Sequence, residues 1–171
     1  MICRLFTFLL SGTLCSCLLS ASELKIGDAI PNVIAKDSSN ATVNFSSLST
    51  EPWVLVYFYP KADTPGCTKQ ACSLRDAYEK LTHSGVKVIG VSADSLSDQK
   101  AFAEKYQLPF TLIADADKKV IKAFGVSQMP VVGFAKRQAY LFKEGKLVWK
   151  DLKASTAKQA ADVIKVISNH S

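Results

Sequence analysis

Seven consecutive apolar and aromatic residues, Trp53-Val54-Leu55-Val56-Tyr57-Phe58-Tyr59, run without a polar interruption. A strand covered on one face alternates apolar with polar. An unbroken run rich in β-branched and aromatic residues therefore reads as a strand buried on both faces, in the middle of an α/β sheet. The rest of the chain has to be arranged around it. Thr64-Pro65-Gly66 follows, and a helical spacing then begins at Cys67, takes in Leu74, Tyr78 and Leu81, and ends at Ser84-Gly85. Residues 86–92 read as a second strand. Ser97 reads as the cap of a helix that reaches Tyr106 and is broken by Pro109. Residues 110–114 form a third strand, 115–117 a turn, and 118–124 a short helix stopped by Gly125. Residues 139–142 and 146–150 pair about Glu144-Gly145, and 156–167 form a last helix with Ala160, Val163, Ile164 and Ile167 on one stripe. Residues 29–35 and 41–45 are a candidate N-terminal β pair. This order of elements implies one three-layer α/β domain.

Ahead of it, residues 1–22 read MICRLFTFLLSGTLCSCLLSAS. Arg4 gives a short basic start, an uncharged apolar stretch follows, and Ser20-Ala21-Ser22 offers small residues for cleavage before Glu23. That is the pattern of a cleaved secretory signal peptide. The competing readings are a retained anchor, a first strand, and a lipobox at Leu14-Cys15-Ser16-Cys17 that would leave Cys17 acylated. The expected organisation is thus a signal peptide over residues 1–22 and one domain over residues 23–171. The domain is expected in the periplasm, with a membrane-anchored form facing the same space as the alternative. No apolar run after residue 25 reaches the roughly 18 residues that span a bilayer. Of five cysteines, Cys3, Cys15 and Cys17 fall in the leader, so the cut leaves Cys67 and Cys72. An exported chain with two cysteines this close suggests that they pair with each other.

Composition closes off other classes. Apolar residues make up 48% and charged residues 21%, which excludes a disordered or collagen-like chain. The net charge is +6, but the lysines are scattered, with no run longer than Lys118-Lys119. This reads as a solvated surface and not as a nucleic-acid footprint. Two histidines leave little for a His-built metal site.

The chemistry is concentrated between the buried strand and the helix. Cys67 falls in a first helical turn, where unpaired N–H groups and the helix dipole favour negative charge. Thiolate is the reactive form of cysteine, and such a position favours it. No acid follows Cys67 until Asp76, while Lys69 and Arg75 add positive potential. The Thr64 hydroxyl is close enough in sequence to reach the sulfur or a bound oxygen, and Pro60 and Pro65 stiffen the loop. On an ideal helix, residues five apart have Cα atoms about 8.6 Å apart. A disulfide needs roughly 4.4–6.8 Å. The helix and a Cys67–Cys72 bond therefore cannot coexist. Either the segment is never helical and the bond is an inert staple, or the helix unwinds each time the bond forms, which is a redox switch.

Pro60-x-x-x-Thr64-x-x-Cys67 resembles the active-site signature of peroxiredoxins. The stretch Thr64-Pro65-Gly66-Cys67-Thr68-x-Gln70-Ala71-Cys72 is similar to the form found in the bacterioferritin comigratory protein (peroxiredoxin Q) subfamily. The likeness continues through Gly90-Val91-Ser92-Ala93-Asp94, Leu108-Pro109-Phe110, Ala123-Phe124-Gly125-Val126 and Gly145-Lys146. It implies a thioredoxin-like three-layer fold with a central mixed β-sheet flanked by helices. It also implies a peroxidatic role for Cys67, a resolving role for Cys72, and substrate-shaping roles for Pro60 and Thr64. The family's late arginine is matched by Arg137, just before Gln138-Ala139-Tyr140-Leu141-Phe142. Residues 127–136 depart from the family pattern, and Gln138 stands where an apolar residue is more common. Arg75, the other candidate, reads as a surface or structural residue.

The implied activity is reduction of hydrogen peroxide and organic hydroperoxides through a Cys67 sulfenic acid and a Cys67–Cys72 intrachain disulfide. A thioredoxin-like dithiol then restores the thiols. No metal, haem or flavin cofactor is called for, and an internal resolving cysteine makes a monomer the expected state. Two competing functions stay open at this point. An exported thiol–disulfide oxidoreductase acting on proteins would share the fold, but the chain lacks a C-x-x-C. A non-catalytic basic binding module or lipoprotein would leave the spacing of Pro60, Thr64 and Cys67 as coincidence.

Overall fold

The computed structural model describes residues 23–170, so the signal-peptide and lipobox readings of residues 1–22 lie outside the described residues. The apolar run forms β3 (Trp53–Phe58), and it is buried along its whole length. Its side chains alternate between two cores. Leu55 and Tyr57 join a cluster with Cys67, Leu74, Leu81, Phe102 and Val163. Val54, Val56 and Phe58 join another with Phe45, Ile121, Phe124 and Tyr140. A strand with apolar layers on both faces has no polar positions to alternate, and this explains the unbroken run.

The other strands are β1 (Ile34–Asp37), β2 (Thr42–Asn44), β4 (Val86–Ser92), β5 (Thr111–Ala114), β6 (Gln138–Lys143) and β7 (Lys146–Asp151). They form one seven-stranded sheet in the order β2-β1-β5-β4-β3-β6-β7. β4 pairs in parallel with both β3 and β5, while β6 lies antiparallel to β3 and to β7. The helices are α1 (Pro65–Asp76), α2 (Tyr78–His83), α3 (Leu96–Lys105), α4 (Lys119–Ala123) and α5 (Gln159–Ser168). The result is a mixed sheet flanked by helices, the thioredoxin-like α/β arrangement expected. Among the described residues, no helix is long and apolar enough to cross a membrane.

Several boundaries differ from the sequence expectations. The single helix expected from Cys67 to Leu81 begins at Pro65 and is divided at Ala77, whose φ of −98° and ψ of 4° leave the helical region. Proline suits the first helical position because the N–H it lacks would have no partner there. Ser95, and not Ser97, caps α3: its hydroxyl accepts from the Asp98 N–H at 3.2 Å and donates to the Asp98 carboxylate at 2.7 Å. That helix ends at Lys105 with Tyr106 as its C-cap, the end expected, and Gln107 follows at a left-handed φ of 50°. The N-terminal pair is shorter and later than expected, and Ala29 only bridges Lys146. The last helix starts at Gln159, after Ser155 has accepted from the N–H groups of Ala157 and Lys158.

Asp115 does more than make a turn. It is 1% exposed, and its carboxylate accepts from the N–H of Val120 at 3.0 Å and of Ile121 at 2.8 Å. It thereby closes the start of α4, whose Val120 and Ile121 are core residues. Removing the acceptor leaves two buried donors unpaired. Asp115→Ala is expected to cost about 2–3 kcal/mol. This corresponds to a fall of roughly 4–10 °C in Tm by calorimetry, with Asp115→Asn losing less because one acceptor remains.

Candidate active site

β3 ends at Phe58, and the chain then turns through Tyr59 to Thr64 into α1. The turn is held from both sides. The Ala62 N–H donates to the Asp94 carboxylate at 2.7 Å, and Ser92 and Tyr59 extend that network to Gln99. Thr64 is the N-cap residue, with extended φ and ψ. The sequence places its hydroxyl within reach of the sulfur or a bound oxygen; the structure instead has it donate to the Lys61 carbonyl at 3.0 Å, so its proton is directed at the loop. Pro60 is half-buried at the start of the same loop.

Cys67 is the third residue of α1 and is 2% exposed. The first intrahelical bond runs from the Thr68 N–H to the Thr64 carbonyl at 2.8 Å. The amides ahead of it lack an intrahelical acceptor and direct positive potential toward the sulfur. Arg137 stands immediately before β6, and the register Phe58↔Gln138 brings that strand's start beside the end of β3. The sheet thus delivers an arginine from 70 residues away to the cysteine: Arg137 Nη2 lies 3.5 Å from Cys67 Sγ. Arg75 does not share this site. It donates to the Tyr106 carbonyl at 2.8 Å and pairs with Asp76, the structural role expected of it.

Three contributors escaped the sequence reading. Gln70 is fully buried and accepts from Arg137 Nη1 through its Oε1. Its Nε2 donates to Gln159 Oε1 at 2.6 Å, and Gln159 is 1% exposed at the start of α5. Polar residues in amphipathic helices read as solvent-facing, so nothing in the periodicity marked these two as core. Gly66 is the third. A Cβ at this position would sit 3.2 Å from Arg137 Nη2, so an added methyl would make the guanidinium give by a few tenths of an ångström. Gly66→Ala improves helix propensity by about 1 kcal/mol while pushing the guanidinium aside. The expected outcome is an unchanged or higher Tm together with a peroxide-dependent rate about threefold to tenfold lower, measured by rapid-mixing thiol loss.

Cys72 is half-buried and lines a groove between α1 and α5, while Cys67 faces the sheet. Both thiols are free. Five helical residues rotate by roughly 140°, which explains why the two sulfurs face different directions on one folded helix. The aromatics divide likewise. Tyr57 and Tyr59 stack at 5.5 Å on the Cys67 side, whereas Phe58 points into the other core. Burial pushes the Tyr57 phenol well above its ordinary value; Tyr59 and Cys67 add to that and Arg137 opposes it. Tyr57 is therefore a neutral wall. Among the described residues, no group of three or more His, Cys, Asp or Glu side chains is arranged to hold a metal ion.

A central strand running into a helix that presents a cysteine in its first turn, with a guanidinium on the sulfur, defines a thioredoxin-like protein with a cysteine-centred site. The chain belongs to the AhpC/TSA family, whose profile matches residues 26–150. It is 41% identical over 145 residues to the chloroplastic peroxiredoxin Q of Triticum aestivum, a match covering 84% of this chain and 66% of that protein. With the chloroplastic peroxiredoxin Q of Populus jackii it shares 48% identity over 105 residues, or 61% of this chain and 49% of that one. The chain therefore spans about half to two thirds of the length of these curated relatives. Among solved structures it resembles peroxidoxin BcpB from Mycobacterium tuberculosis, with a TM-score of 0.79 and 26% identity over 86% of this chain and 98% of that one. It also resembles the bacterioferritin comigratory protein of Xanthomonas campestris, with a TM-score of 0.76 and 25% identity over 87% and 98% of the two chains.

Proposed function

We propose that this chain is a thiol-dependent peroxidase. The observation that carries the reading is the guanidinium of Arg137 on the sulfur of Cys67 at the start of α1. In the proposed reaction the Cys67 thiolate attacks the terminal oxygen of a hydroperoxide. An S–O bond forms, the O–O bond breaks, and alkoxide or hydroxide leaves and takes a proton. Negative charge moves from sulfur to the departing oxygen, so donors must serve both atoms. Arg137 and the first-turn amides can do so without reorganising, and Thr64 and Pro60 shape the space above them. Activation of the thiol alone is insufficient, because nucleophilicity falls as thiolate becomes easier to form. Orienting the peroxide supplies the remainder.

The Cys67 sulfenic acid is then attacked by the Cys72 thiolate: the S–S bond forms, the S–O bond breaks, and hydroxide leaves and takes a proton to become water. A thioredoxin-like dithiol reduces that bond and is itself oxidised. The similarity to peroxiredoxin Q proteins supports this sequence, and the Xanthomonas relative is described by its alkyl peroxide reduction activity, which favours organic hydroperoxides alongside hydrogen peroxide. We also propose a monomer. The N-terminal leader supports export, with the reductant on the outer side of the membrane; Glu23 as the first residue of exported protein checks this.

The test is to mix reduced protein with a slight excess of hydrogen peroxide. The expected result is rapid loss of both thiols and a product two hydrogens lighter, whereas Cys72→Ser stops at a sulfenic acid on Cys67. The same samples should show faster proteolysis within residues 64–75 after oxidation, because the bond cannot form on an intact α1. Oxidation at the rate of an ordinary free cysteine would remove the peroxidase reading. Equal cutting in both states would remove the unwinding step.

A further inference from the structure

The groove between α1 and α5 lies outside the Cys67 site, and its chemistry is distinct. It has a cavity volume of about 840 Å³, within the range of small-molecule sites. Its floor includes Ala160 and Ile164, and its rim carries Lys69, Lys80 and Lys165. None of these three ammonium groups is ion-paired or hydrogen-bonded with any described residue. Asp76, the one carboxylate lining the groove, is paired with Arg75 at 2.8 Å. Lys80 stands on α2 and Lys165 in the last turn of α5, so ammonium groups flank an apolar trough from both walls. Cys72 is part of the lining.

We propose that this groove binds a long-chain carboxylate as a monomer, with its tail along Ala160 and Ile164 and its head among the lysines. Unpaired cations above an apolar floor complement that amphiphile in both of its parts. A neutral hydrocarbon would leave the lysines unused, and a fully polar anion would leave the trough exposed to water. A seated ligand covers Cys72 and bridges both walls, which are tied directly by the bond from Gln70 Nε2 to Gln159 Oε1 at 2.6 Å and, just ahead of α5, by the bond from the Ser73 hydroxyl to the Ala157 carbonyl at 3.2 Å. Its occupancy holds α1 wound and slows capture of oxidised Cys67 by Cys72. This last consequence rests on the peroxidase reading; the binding site does not.

The experiment uses dodecanoate below its micelle-forming concentration. It is titrated calorimetrically into reduced protein carrying Cys67→Ser, and alkylation of Cys72 is followed by mass spectrometry of the peptide that contains it. The expected result is saturable binding with one ligand per chain and alkylation at least about fivefold slower at saturation. Lys80→Gln/Lys165→Gln should weaken dodecanoate about tenfold, and dodecanol should bind about as weakly as dodecanoate does to that variant. No saturable binding, unprotected Cys72, or equal affinity in the double variant would overturn the proposal. So would association with anionic phospholipid vesicles but not with the monomer, which would make the face a membrane surface. In the wild-type protein, dodecanoate should slow disulfide formation after one equivalent of peroxide. If no disulfide forms without dodecanoate, the peroxidase reading fails, while binding and Cys72 shielding still decide the groove.

Discussion

Cys67→Ser is expected to lose peroxide turnover by about four orders of magnitude or more while keeping the fold. Serine is nearly isosteric with cysteine, and its hydroxyl can accept from Arg137 Nη2, which lies 3.5 Å from the sulfur it replaces. The packing of Ala71, Leu74 and Tyr57 around it is retained. What disappears is the thiolate, and an alcohol at this position has no base within the described site to deprotonate it. Cys72 remains in this variant. It lies on the other side of α1, away from Arg137 and the first-turn amides, so it lacks the donors that orient a peroxide and should react far more slowly than Cys67. The check is a rapid-mixing measurement of peroxide consumption, with Tm recorded on the same sample. Near wild-type consumption in Cys67→Ser, or equal loss in Cys72→Ser at the first turnover, would move the chemistry to the wrong sulfur and end the assignment.

The parts of this protein that were legible in the sequence are those where one physical demand dominates. Trp53 to Phe58 is unmistakable because a doubly covered strand leaves no position for a polar residue. Cys67 was legible because helix starts and thiolates suit each other, and Arg137 because a motif resemblance directed attention to the start of a late strand. The losses occurred where two candidates satisfy the same local rule. Ser95 and Ser97 are both competent caps, and the selector is Asp98, three residues after Ser95, whose amide and carboxylate both engage its hydroxyl. The break at Ala77 has no proline or glycine to announce it. Gln70 and Gln159 were missed for a deeper reason. Their partners are 89 residues apart in sequence, so neither has a local signature, and only the packing of α5 on α1 makes a buried glutamine admissible. Asp115 was legible as a turn residue but not as a buried cap, since burial depends on strands from elsewhere in the chain.

Arg137 is where these threads meet, and its removal should have the second-largest effect. Its two terminal nitrogens do different things: Nη2 faces the sulfur, and Nη1 donates to Gln70, which is held in turn by Gln159. A planar fork fixed at one prong is aimed at the other. Arg137→Gln should lower the rate constant for peroxide attack by about 100- to 1,000-fold, the usual effect of losing one preorganised donor to developing charge. It should also lower Tm, because Gln70 Oε1 is left buried with no donor, at a cost of about 1–3 kcal/mol. Arg137→Lys separates the two contributions. It keeps the charge but has a single point donor that cannot serve both Cys67 and Gln70, so the rate should stay at least about tenfold below wild type. A Lys variant at the wild-type rate would mean that net charge near the sulfur is enough and that the Gln159–Gln70 chain only supports packing. A Gln variant at the wild-type rate would mean that the guanidinium takes no part in cleaving the peroxide bond.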